Sequence, residues 1–398
     1  MKIIVISPDI FPFTAGYGGR NPYDIARRLS QLGHDVVLLS SVPKSFNNDL
    51  SLSMEGKLSF YLYKLLFSGN HYLNYYFPLK PLEMMKLHKI VKILSRTSDL
   101  FVLNGSLESL SFAFLLSLPR YLRGRVVFIN HGLPNPNGTF IGKISFILHS
   151  VLGKIVFPGI RYVISYSRHS EELLKKTLSS PNTTNFYLTN LGIDCDDFLA
   201  KVDSVKDKNY ELSNKIFGEF HITGEYVYAV GRFERNKGYD ELLEAFITIS
   251  EENQNVQLVI SGELTSYTNF LRNKYLYLLN EERVIFTGRV DDDTKIFLML
   301  NCRLYVISSI REGFGGGAIE ASILGINTLA TRTGNMETVL RNLNPIIIEP
   351  GSVSTLLSGL RKGLTRKINN KDVNKETCRS FSIEKTVDTI MDIHKQIL

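Results

Sequence analysis

Apolar residues along the 398-residue chain fall into short runs separated by polar segments of helical periodicity. KIIVIS (2–7), DVVLLS (35–40), LFVLNG (100–105) and RVVFINH (125–131) are rich in Val, Ile, Leu and Phe, the pattern of strands buried on both faces. Between the first two, NPYDIARRLSQLGH (21–34) places Ile25, Ala26 and Leu29 on one helical face and Gly33 where that helix should stop. The pattern restarts with EYVYAVG (225–231), VQLVISG (256–262), RVIFTG (283–288), CRLYVIS (302–308) and INTLATR (326–332). Strands alternating with helices predict parallel sheets with crossover helices, so the chain reads as α/β, two doubly wound domains in tandem.

The boundary is expected after NLGID (190–194), giving domains 1–194 and 195–380 followed by an amphipathic terminal helix, 381–398. The lysine-rich stretch 201–215 reads as a surface connection. Segment 57–92, which mixes Lys with Tyr, Phe and Leu, suits either an amphipathic surface at a lipid headgroup layer or a pair of core helices with basic flanks.

Composition adds limits. With 44% hydrophobic and 21% charged residues the chain is that of a folded globular protein, and its length suits two domains. Cys195, Cys302 and Cys378 are far apart, so neither a disulfide framework nor a zinc site is indicated, and a reducing, cytoplasmic setting fits. The run Ile3–Ile6 is too short for a signal core, and the apolar stretch 140–165 is broken by Lys143, His149, Lys154, Pro158 and Arg161, which argues against a membrane span. It could still lie on a membrane, at the cytoplasmic face. Residues 1–200 hold 21 Lys/Arg against 13 Asp/Glu, and the remainder 25 against 26. That asymmetry points to an anionic partner for the first half, or simply to a solvated basic face.

Open parallel sheets bind ligands at the carboxyl ends of their strands, and the candidate residues gather there. After the first strand, SPDIFPFTAGYGGRNP (7–22) offers the amides of Gly16, Gly18 and Gly19 to a phosphate. A nicotinamide site would require a tighter G-x-G-x-x-G turn and an acidic residue ending the second strand, where Ser40 and Ser41 stand. VGRFERNKGYDELLEAF (230–246) puts Arg232 and Lys237 between a strand and a helix, as a diphosphate clamp or as two solvated loop cations. In REGFGGGAIEASILG (311–325), Glu312 precedes a glycine run and Glu320 lies within the following helix. Carboxylates at both ends suit two sets of sugar hydroxyls, with bare backbone at Gly315–Gly317 facing phosphates between them, the order of groups in a nucleotide sugar. Asp291, Asp292 and Asp293 read as the N-cap of a helix rather than as a metal cluster.

These elements resemble, in order, a GT-B fold glycosyltransferase of retaining family 4: GYGG, ARRLSQLGHDVVLLS, NHG (130–132), VISYSRHSEELL (163–174), NLGID, VGRFERNKGYDELLEAF, FTGRVDDD and EGFGGGAIEASILG. The resemblance implies two Rossmann-like domains facing a central cleft, the first for the acceptor and the second for the donor, with the last helix crossing back to the first. It implies transfer of a hexosyl unit from a nucleotide-diphosphate sugar to a hydroxyl of a glycan or lipid-linked acceptor, without metal or other cofactor and without nucleic acid. By the same resemblance, Glu312 would place the donor sugar and Glu320 would bind the ribose. Arg232 and Lys237 would neutralise the leaving diphosphate, and His131 would contact the sugar, unless it only caps its strand. Gly18 and Gly19 would approach the diphosphate, and Val290, Phe314, Gly315 and Gly316 would complete the donor site. Departures lie at Gly316, where the family usually has leucine or a similar residue, in GNME (334–337), which lacks a glycine pair, and in GGRNPYD (18–24). A sugar-nucleotide epimerase or phosphorylase of the same fold, or a non-catalytic nucleotide-sugar-binding module, remain as alternatives.

Overall fold

The computed structural model describes residues 1–8, 17–42, 57–64, 81–105, 109–131, 147, 150–151, 153–177, 183–312, 315–366 and 372–398. These residues form two compact units, one of Met1–Ile193 with Ser382–Leu398 and one of Asp194–Phe381.

The first unit is built on a parallel sheet of seven described strands in the order β3-β2-β1-β4-β5-β6-β7. They are β1 (Lys2–Ser7), β2 (Asp35–Val42), β3 (Leu58–Lys64), β4 (Leu100–Gly105), β5 (Val126–Asn130), β6 (Tyr162–Ser165) and β7 (Asn185–Leu188). Ile3, Ile4, Val5 and Ile6 of β1 are all fully buried, as expected of a central strand covered on both faces. The helix Tyr17–Gln31 turns Ile25, Ala26 and Leu29 inward, and Gly33, at φ 89°, ends it with its amide bonded to the Ser30 carbonyl at 2.9 Å. That helix begins earlier than its apolar pattern indicates. Gly18 and Gly19 are therefore in its first turn and not in a preceding loop.

Segment 57–92 is not the expected pair of core helices. Residues 58–64 are the edge strand β3, with Leu58 opposite Val36 and Phe60 opposite Leu38; Pro81–Leu94 is a helix, and 65–80 lie outside the described residues. Among the described residues no helix is long and apolar enough to cross a membrane.

The terminal helix Ile383–Ile397 packs within this unit and buries Ile383, Val387, Ile390 and Ile393. Arg28 of the first helix meets Glu384 at 3.3 Å. At its start the chain forms a parallel bridge between Ser382 and Ile193, and the Ile383 amide donates to the Ile193 carbonyl at 2.8 Å.

The second unit repeats the plan with six parallel strands in the order β10-β9-β8-β11-β12-β13. These are β8 (Glu225–Val230), β9 (Val256–Ser261), β10 (Val284–Gly288), β11 (Leu304–Ile307), β12 (Thr328–Thr331) and β13 (Ile346–Ile348). Stretch 201–215 is not a connection. It belongs to two helices, Cys195–Asp207 and Asn209–Phe220, because Phe198, Val202 and Val205 recur at helical spacing and are buried beneath the polar letters. Asp194 caps the first of them by accepting the Asp197 amide at 3.0 Å.

Strand order reverses between β1 and β4 in the first unit and between β8 and β11 in the second. At such a switch point the following loops splay to opposite faces and leave a crevice at the strands' carboxyl ends. In the second unit the described loop residues at that point are 231–238 and 308–312.

Candidate active site

The loop after β8 is anchored by Phe233. Its fully buried ring packs on Phe286 and Tyr239 at centroid distances of 4.9 and 5.3 Å, which leaves the flanking residues to face outward. Arg232 is half-exposed beside Glu234, 3.4 Å away. Arg235–Lys237 make one 3-10 turn, closed by Gly238 at φ 66°. This loop is tied to the one after β11 by the Ile310 amide donating to the Asn236 carbonyl at 2.7 Å and by the Ser308 hydroxyl donating to the Lys237 carbonyl at 2.8 Å. The second loop is fixed in turn from β12, where the Thr331 hydroxyl donates to the Ser309 carbonyl at 2.6 Å.

These ties bring Lys237 Nζ to 2.5 Å from Glu312 Oε1, although the residues are 75 positions apart. The Ser309 hydroxyl donates to the same oxygen at 3.3 Å. Both partners of the ion pair are largely shielded, at 20% and 18% exposure, so solvent screens the pair less than it would a surface one.

Beyond Glu312, Gly315 at φ 86° opens the helix Gly316–Leu324. A Cβ on Gly317 would lie 2.4 Å from the Tyr305 hydroxyl oxygen. The glycines thus satisfy a left-handed turn and a close approach, and they leave the first-turn amides of Gly316 and Gly317 beyond reach of any intrahelical acceptor. Such a helix terminus favours anions. Phe314 lies outside the described residues. Glu320 is buried in the same helix, with Oε1 2.7 Å from Lys295 Nζ. Val290 is half-buried between β10 and the helix Asp292–Asn301, which Asp291 caps by accepting the Thr294 amide at 2.7 Å.

Gly18, Gly19 and His131 belong to the first unit. His131 follows β5, and its Nε2 is buried without a hydrogen-bond partner among the described residues. Its ring stands edge-on to Tyr166 at 5.2 Å. The Tyr166 hydroxyl donates to Asn21 Oδ1 at 2.8 Å, and Asn104 Nδ2 donates to the same oxygen at 2.9 Å. Burial pushes His131 down from 6.5 to about 4, so the imidazole is neutral at physiological pH.

Residues 214–379 match the family model of the glycosyl transferases group 1. The chain carries a group 1 glycosyl transferase domain. The capsular polysaccharide biosynthesis glycosyltransferase CapM of Staphylococcus aureus is 27% identical over 198 residues, 48% of this chain and 50% of CapM, so the match spans half of that relative's length. Among solved structures, a glycosyltransferase from Rickettsia africae aligns over 100% of this chain and 98% of its own, with a TM-score of 0.73 at 16% identity. Anabaena HepE in complex with UDP and glucose aligns over 100% and 98%, with a TM-score of 0.64 at 17% identity. The fold is the GT-B architecture, with two Rossmann-like parallel sheets.

Within the transferase domain the structure adds two residues absent from the sequence reading, Lys295 and Ser309. Lys295 stands three positions after Asp292, a spacing that signals a helical ion pair, but nothing local points to Glu320, 25 residues on. In the first unit, Tyr166, Asn21 and Asn104 were legible only as an apolar-strand terminus and a helix start.

The depressed His131 pKa has a consequence for stability. Between pH 6.5 and 4 the unfolded chain takes up a proton that the folded chain refuses. The contribution is therefore complete above about pH 6.5 and is lost as pH falls toward 4. His131→Gln is expected to flatten the fall in urea midpoint between pH 7 and pH 4.5 relative to the wild type. Parallel curves for the two proteins would place the titration elsewhere.

Proposed function

We propose that the protein is a retaining glycosyltransferase that moves a hexosyl unit from a nucleotide-diphosphate sugar to a hydroxyl of a glycan or lipid-linked acceptor. The observation that carries this reading is the Lys237–Glu312 pair at the β8/β11 switch point, set beside the glycine-opened helix that holds Glu320. In this reading the diphosphate lies at the amides of Gly316 and Gly317, with Lys237 and Arg232 as its cations. Glu320 accepts from the ribose hydroxyls, and Glu312 accepts from the hexose.

The bond from the anomeric carbon to the phosphate oxygen breaks as the acceptor oxygen attacks from the same face, and the acceptor's proton passes to that phosphate oxygen. No protein nucleophile is needed. The chain's contribution is electrostatic: two fixed cations and oriented amides meet the negative charge that grows on the diphosphate. His131, neutral, serves as a hydrogen-bonding group to the sugar and not as a charged acid. The likeness to CapM and the basic first half support an acceptor that is a growing glycan on an anionic carrier at a membrane face.

A thermal-shift screen against nucleoside diphosphates and their sugars tests the reading. Ligand at a hundred times its dissociation constant adds about 2.7 kcal/mol. Stabilisation by one nucleotide, diminished in Glu320→Ala and in Lys237→Ala, is expected. A wild-type protein indifferent to every nucleotide defeats the proposal.

A further inference from the structure

Five side chains of the second unit form a line of alternating charge that ends at Glu320. Asp197 Oδ2 lies 3.0 Å from Lys201 Nζ, which lies 2.9 Å from Asp292 Oδ2; Asp292 Oδ1 lies 3.5 Å from Lys295 Nζ, which lies 2.7 Å from Glu320 Oε1. Asp197, Lys201 and Asp292 are 32%, 29% and 38% exposed, whereas Lys295 is 20% and Glu320 7% exposed. The outer members are ordinary helix-surface pairs, whereas the inner pair has been taken out of water.

Burying that inner pair is costly. Glu320 sits among Ala318, Ile319, Ala321, Ile323 and Leu324, all fully buried, where an apolar residue would serve packing better. Burial pulls the Lys295 ammonium toward its neutral form, but Glu320 and Asp292 outweigh this and hold its pKa above the ordinary value, so it is charged at neutral pH. A contact at 2.7 Å from a helix fixed by its own cap restrains the carboxylate plane as well as its charge.

We infer that Lys295 is a positioning residue that holds the Glu320 carboxylate ready to accept from a vicinal diol, making the site selective for ribose over 2′-deoxyribose. The inference rests on the donor-site reading above and adds to it the residue that sets sugar selectivity. A pair kept only for structure would, when broken, weaken binding of ribo- and 2′-deoxyribonucleotides alike. A pair that orients the acceptor is needed by one ligand and not by the other.

The experiment is calorimetric titration of the full chain, its Lys295→Met and Glu320→Gln variants and the double variant. The ligands are the nucleoside diphosphate that stabilises the wild type and its 2′-deoxy counterpart. The wild type should prefer the ribose form by about tenfold, the worth of one good hydrogen bond. That ratio should collapse toward one in Lys295→Met, with no further loss when the substitution is made in the Glu320→Gln background. The double variant has neither buried charge, so it guards against a result caused by misfolding. A ratio preserved in Lys295→Met overturns the inference, as does an equal loss in the Gln background or a wild type that binds both sugars alike. A wild type that binds no nucleoside diphosphate defeats the proposed function, and the inference with it.

Discussion

Lys237→Ala should lower turnover by a factor of about 10²–10³ at saturating donor, the usual cost of removing one preorganised electrostatic stabiliser. Lys237 is fixed at both ends, its carbonyl held by Ser308 and its ammonium by Glu312 at 2.5 Å. The loop therefore delivers the cation to one place before substrate arrives. On the proposed reading, donor binding would exchange partners: the diphosphate would take the ammonium, and the hexose hydroxyls the carboxylate. The effect should fall on kcat more than on KM, because the charge on the leaving phosphate is greatest at the transition state. Lys237→Arg is expected to recover only part of the rate, since a planar fork does not reproduce a point charge in a fitted position. The measurement is release of nucleoside diphosphate from the donor identified by thermal shift. Unchanged turnover in Lys237→Ala would remove the residue from the mechanism.

Gly238→Ala should be strongly destabilising. The residue has φ 66°, and a Cβ there would stand 2.1 Å from the Ser308 carbonyl oxygen, a backbone atom that cannot turn aside. Left-handed strain alone costs about 1–2 kcal/mol, and the clash adds to it, so a loss of about 3 kcal/mol or more is expected. In a domain of this size that corresponds to a thermal midpoint lower by roughly 10 °C. Gly218→Ala is the matched control: it lies in the helix Asn209–Phe220 with nothing within 4 Å of its added Cβ, and should stabilise by up to about 1 kcal/mol. Equal melting of the two variants would show that the loops can separate without loss. Because Gly238 also sets Lys237 against Ser308, any folded Gly238→Ala protein should be slow as well.

The parts of this architecture written in local pattern were readable in the sequence. β1 and β4 coincide with KIIVIS and LFVLNG because a central parallel strand is apolar on both faces. β3 was misread because an edge strand needs only one apolar face, so Leu58 and Phe60 alternate with Ser59 and Tyr61 in a way that also suits a membrane-facing segment. The helices covering 201–215 were missed because lysines and aspartates hide a buried stripe of only a few residues. At the candidate site, Arg232, Lys237 and Glu312 announce themselves by standing next to glycines in the loops after strands, and Glu320 by its place in the helix that a glycine run opens. Lys295 does not. Its meaning depends on which helix lies beside it, and that is settled by sheet order rather than by spacing along the chain.

The parallel bridge between Ile193 and Ser382 bears on how the molecule could be rearranged. Neighbouring parallel segments need a crossover to join them, and here the crossover is an entire folded body, Asp194–Phe381. Closing a loop costs only about 0.6 kcal/mol for each doubling of its length, so the first unit is nearly indifferent to the size of what hangs from this seam. The second unit is in effect an inserted cassette. A chimaera that replaces it with the matching segment of another member of the fold has its two junctions at Ile193 and Ser382.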